Sequence, residues 1–232
     1  MALNHVRSWL VLVCVVCLTT GCASGAKEIW AHRPWAPIED TVVNGVKVEA
    51  PINRVKRLQE LAKNAPEMDA ATKEKTCQDL VEQIKTEDDA FMRCVLLHTL
   101  GAFPESPLAG EILAAGMKDR DRDARITCCN GWGKRKGPES VKILSEALAS
   151  DADVDVRLAA ARALGALKDP TGVKPLGLAL ESPDPAMQYR AVLSLHEITG
   201  KDFGDNAKAW KEYVDGGSPP EQSLAAKVKN WF

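Results

Sequence analysis

The spacing that most constrains this chain is 32 residues. Arg93, Arg125 and Arg157 follow one another at that interval, and so do Leu100-Gly101, Trp132-Gly133 and Leu164-Gly165. Leu80, Ile112, Leu144 and Leu176 form a second apolar column on the same beat, and Cys77, Ala109, Val141 and Val173 form another. One step later the interval shortens to 31: Asp153 finds Asp184, Val156 finds Met187, and Leu164 finds Leu195. Several independent columns at one period indicate stacked copies of one supersecondary unit.

The best-formed copy, Asp151–Leu180, reads as two short helices and a turn. Val156, Ala160, Ala161, Leu164 and Leu167 recur at helical spacing, Asp169-Pro170-Thr171-Gly172 breaks the run, and Val173, Leu176, Ala179 and Leu180 recur again. So short a hairpin cannot cover its own apolar face, so it needs a neighbour of the same kind. Five such pairs are expected between 49 and 214. Asp121, Asp123, Asp151, Asp153 and Asp184 precede helices, where they can cap free amides. Arg93, Arg125 and Arg157 can each reach an Asp of the adjacent copy.

On these residues the chain resembles HEAT repeats, in the short form also named after phycobilisome-lyase proteins. The resemblance covers roughly 51 to 214. It implies an all-α fold, an α-solenoid of about five helical hairpins. Such repeats serve many tasks, so it says little about function.

Residues 1–21 read as an export signal. Arg7 and an apolar run from Trp9 to Leu18 come before Thr19-Thr20-Gly21-Cys22, and the run is too short to span a bilayer. Small residues directly before a Cys resemble the lipobox of bacterial lipoproteins, although Thr19 stands where Leu is usual. That resemblance implies lipidation at Cys22 and, because Ala23 follows, the outer membrane facing the periplasm. Acyl chains at about 0.8 kcal/mol per buried CH₂ would hold a domain there.

Residues 22–48 lack helical periodicity and read as a tether or N-terminal cap, with Trp30 and Trp35 as candidate partner contacts. Lys134-Arg135-Lys136 is a short basic run and a further candidate contact. The third copy breaks local rules with Asn130, Gly131 and Gly133, and Trp132 stands where the others have Leu; it is the first place to look for function. Cys77, Cys94, Cys128 and Cys129 read mainly as buried free thiols, with a Cys94–Cys128 or Cys94–Cys129 disulfide as the alternative. Residues 215–232 read as a tail with a short capping helix through Leu224, Val228 and Trp231.

Net charge is −2, with no basic excess to bind nucleic acid. No GxSxG, HExxH or phosphate-loop pattern occurs. His196-Glu197 is one His-Glu pair, where the di-iron hydroxylase built on HEAT-like repeats would need several. The expectation is therefore a membrane-tethered scaffold that binds another protein in the cell envelope. It is not an enzyme on this reading, and it has no cofactor, metal, nucleic acid or small-molecule substrate. A lyase-related or metal-dependent protein-modifying enzyme and a nucleic-acid binder stay as alternatives.

Overall fold

The computed structural model describes residues 40–43 and 45–221. The export signal, Cys22, Trp30, Trp35 and the tail residues Leu224, Val228 and Trp231 lie outside the described residues. The chain divides into two compact units, residues 1–54 and 55–232.

In the first unit, β1 (Thr41–Val43) pairs antiparallel with β2 (Val46–Val48), Val43 opposite Val46. Gly45 turns the chain at φ 78°, which glycine adopts without strain. Asp40 accepts from the Ala50 amide and from Asn53 Nδ2, both at 2.9 Å. Periodicity showed no strand here, yet Asn-Gly between apolar residues is a strong hairpin signal.

The second unit takes in most of α1 (Pro51–Asn64) and then runs through α2 (Ala70–Lys85), α3 (Ala90–Leu100), α4 (Pro107–Gly116), α5 (Arg122–Trp132), α6 (Pro138–Ser150), α7 (Val154–Leu167), α8 (Val173–Ala179), α9 (Pro185–Thr199) and α10 (Ala207–Val214). These are five hairpins, in two layers. α3, α5, α7 and α9 pack in succession in one layer, and the second helices fill the other, with α2 against α4, α6 against α8 and α8 against α10. Leu100, Trp132, Leu164 and Leu195 are at most 1% exposed, one in each successive first helix.

Two recurrent devices explain the period. Asp89, Asp121, Asp153 and Asp184 each accept an amide in the first turn of the helix that follows. Such caps contribute about 1 kcal/mol each. The Leu-Gly beat marks close approach between first helices. A Cβ on Gly101 would lie 3.3 Å from Gly131 Cα, one on Gly133 would lie 3.0 Å from Ala163 Cβ, and one on Gly165 would lie 2.9 Å from Ser194 Cβ. Small residues face small residues at each step, so the helices touch backbone to backbone. Gly131 also receives Leu113, 3.0 Å from where its Cβ would be. The unusual third copy is thus accounted for by packing, and its glycines are not a sign of a site.

The cysteines are free thiols: Cys77, Cys128 and Cys129 are buried and Cys94 is half-buried. Neither disulfide alternative forms. Burial pushes every one of these thiols up, Cys129 to about 12, so they stay protonated and unreactive at neutral pH.

Candidate interaction face

The Arg column is a built ladder. Arg93 donates from Nε and Nη2 to Asp119, both at 3.0 Å, and from Nη1 to the Asp88 carbonyl at 2.8 Å. Arg125 repeats this with Asp151 at 2.9 and 3.0 Å and with the Asp119 carbonyl at 3.0 Å. Each fork therefore ties its own loop and clamps the loop of the next hairpin. Both pairs are largely screened from water. Burial raises the Asp119 and Asp151 carboxyls, but the facing guanidinium and a neighbouring amide hold each on balance below the ordinary range.

Two sequence expectations change here. Asp151 is a rung of this ladder and caps no helix; Asp153 does the capping, and Asp151 Oδ1 accepts the Asp153 amide. Asp123 lies inside the first turn of α5. Asp119, which sequence reasoning passed over, is the equivalent rung one copy earlier. Its signal was there, since 119 and 151 differ by the same 32 residues.

The ladder stops at Arg157. Its Nη1 donates to the Asp151 carbonyl at 2.7 Å, like its predecessors. The next rung, however, is Ser182, whose Oγ accepts the Asp184 amide at 3.2 Å as Asp151 accepts that of Asp153. A hydroxyl stands where a carboxylate stood, and among the described residues the Arg157 fork makes no ion pair. In the last copy Gln188 keeps only the loop tie, donating to the Ser182 carbonyl at 2.7 Å. Among the described residues no hairpin follows for it to clamp.

A groove of about 650 Å³ runs beside the rung at Arg125, lined by Met117, Asp119, Arg125, Glu146 and Asp151 among others. One copy on, the position of Glu146 is taken by Leu178, 67% exposed. A cationic fork without a carboxylate and an uncovered apolar side chain thus hold equivalent positions of one copy. A second cleft of about 400 Å³, lined by Pro66, Phe103 and Pro104 among others, lies between the turns of the first two hairpins.

The basic run divides. Lys134 and Lys136 are exposed, whereas Arg135 donates to the Ser106 carbonyl at 2.9 Å and lies 5.2 Å over the Trp132 ring. Its guanidinium occupies the space a Cβ on Gly110 would need. Glu197 of the His-Glu pair accepts from Arg190 at 3.0 Å. Among the described residues no group of three or more His, Cys, Asp or Glu could hold a metal ion.

Restoring the rung should stabilise the fold. Ser182→Asp offers Arg157 the partner its predecessors have, and is expected to add about 1 kcal/mol, the upper scale of a partly exposed pair. That corresponds to a rise of about 2–4 °C in the unfolding midpoint, read by thermal denaturation and absent when Arg157 is also Ala.

Residues 141–209 match the family model for HEAT repeats. Over those residues the chain is similar to HEAT repeats, and its fold is an α-solenoid of HEAT-like helical hairpins. No curated protein matches it. Among solved structures it is similar to the complex of CpcE and CpcF of phycocyanin lyase from Nostoc sp. PCC7120, at 16% identity and a TM-score of 0.44, over 66% of this chain and 94% of that one.

The expectation that the chain is not an enzyme does not stand. It rests on missing motifs, and the solved structure just named belongs to a lyase. Missing GxSxG, HExxH and phosphate-loop patterns do not exclude catalysis. At that TM-score the likeness assigns no activity to this solenoid either.

Proposed function

We propose that this solenoid is a scaffold that binds another protein, held at the cell envelope by a lipid on Cys22. The observation that carries the binding reading is the interrupted ladder. Arg157 keeps a guanidinium whose clamping partner is gone, and Leu178 is exposed at the equivalent of Glu146. The chemistry that fits is a partner side-chain carboxylate next to an apolar residue. Small residues before Cys22 support the anchor, and Ala23 supports the outer membrane, facing the periplasm. Trp30, Trp35, Lys134 and Lys136 are further contacts in this reading.

Two experiments test it. A photo-crosslinker at Leu178 should trap a discrete protein in the native envelope, while one at Glu60, exposed on α1, should not. Ser182→Asp, by closing the Arg157 fork, should weaken that cross-link. A cross-link of equal yield at both positions, or none at either, removes the binding face. Separately, Cys22→Ser should move the protein from the membrane fraction to the soluble fraction; retention in membranes removes the anchor.

A further inference from the structure

The contacts between copies show which side of a first helix looks toward the following hairpin. Arg93 clamps Asp119, Cys94 Sγ lies 4.0 Å from Asp121 Oδ1, and Gly101 abuts Gly131. In α9 the same columns hold Gln188, Tyr189 and His196, with Leu193 between them at helical spacing. Tyr189 is 55% exposed, His196 is exposed and Leu193 is half-buried. Among the described residues no sixth hairpin follows, so this face of α9 lacks the neighbour that its counterparts have.

The position of the chain where the description stops suggests the occupant. After α10, Pro219 is buried and lies with Pro220 against the Phe203–Ala209 turn. Glu221 accepts from Lys201 Nζ at 2.7 Å, two residues beyond the end of α9. The eleven residues Gln222–Phe232 therefore start at the C-terminal end of the uncovered face. As a helix they would reach about 16 Å, and α9 from Tyr189 to Thr199 spans about 15 Å. Leu224, Val228 and Trp231 share one helical face, at steps of four and three. Run antiparallel, they meet His196, Leu193 and Tyr189 in turn.

We propose that Gln222–Phe232 folds back along α9 and covers the Tyr189–Leu193–His196 face as the terminal cap of the stack. Terminal repeats need such a cover because half of their interface has no neighbour. In that arrangement Lys229 would fall on the opposite face of the helix and Lys227 at the flank of the contact.

The test compares the full chain with a stop after Glu221 and with Trp231→Asp. Trypsin is expected to cut after Lys227 and Lys229 about tenfold more slowly in the full chain than in Trp231→Asp, because a docked segment must open first. Amide exchange across 189–196 is expected to speed up equally in both variants while the earlier hairpins keep their rates. Equal cleavage of the full chain and Trp231→Asp, with equal exchange in all three proteins, overturns the proposal. So does protection that disappears on dilution together with a dimer mass, which would put a second copy on this face.

Discussion

Truncating Trp132 to Ala is expected to lower the free energy of unfolding by about 3–5 kcal/mol. Trp132 is 1% exposed and takes the place that Leu fills at 100, 164 and 195. The glycines on either side of it admit close neighbours, Gly131 taking Leu113 and Gly133 taking Ala163. Gly131, inside α5, costs about 1 kcal/mol of helix propensity relative to Ala, and the buried indole has to offset it. Its Nε1 is buried without a hydrogen-bond partner. Trp132→Phe should therefore lose far less than Trp132→Ala, since it keeps most of the ring and removes the orphan donor. For a domain of this size the alanine change corresponds to a fall of about 6–20 °C in the midpoint. Denaturant unfolding monitored by circular dichroism reads both variants. Equal losses for Ala and Phe would mean that the ring is not what fills the rung.

The stack was legible because its period is written in many columns at once, each tied to burial or capping. Leu195 lies one residue off the 32-residue beat that Leu164 keeps, yet both are buried, because the helical faces tolerate the shift. The reason for the Leu-Gly step was not legible. Glycine in a helix reads as weakness until the facing residue is known, and Gly131, Ala163 and Ser194 become partners of Gly101, Gly133 and Gly165 only in three dimensions. Strands β1 and β2 were missed for another reason: three residues each are too few for alternation to show.

The candidate face was half legible. An Arg column beside an Asp-rich column predicts pairing, but Asp119, Asp121 and Asp123 sit within five residues, and composition cannot say which of them caps and which clamps. The side-chain reach of Arg93 and Arg125 decides it. The gap at Ser182 becomes meaningful only once Asp119 and Asp151 are known to be rungs. Arg135 shows the opposite case, a basic residue that looks available in the sequence and is spent on the Ser106 carbonyl and the Trp132 ring.

The ladder predicts that two arginines of the same column will respond very differently to removal. Arg125→Ala leaves the Asp151 carboxylate, largely screened from water, without its ion-pair partner. Losing one member of a buried pair costs about 3 kcal/mol or somewhat more. Arg157→Ala removes only a tie to backbone carbonyls, a loss of about 0.5–1.5 kcal/mol. Acid should narrow the gap chiefly for Arg125. In the native chain the Asp151 carboxyl sits below its ordinary value of about 3.9. Its contribution is therefore fully present above that value and is lost as pH falls through the lowered one. In Arg125→Ala the burial that raises this carboxyl is no longer opposed by the fork, so protonation relieves the variant while it weakens the native protein. The difference between the two proteins should be largest near neutral pH and shrink toward about pH 3, whereas the smaller Arg157→Ala difference should change less, because Arg157 lowers the Asp151 carboxyl less than Arg125 does. Urea unfolding at a series of pH values measures both. A pH-independent loss for Arg125→Ala would mean that the guanidinium acts through packing along its stem and not through the charge it presents to Asp151.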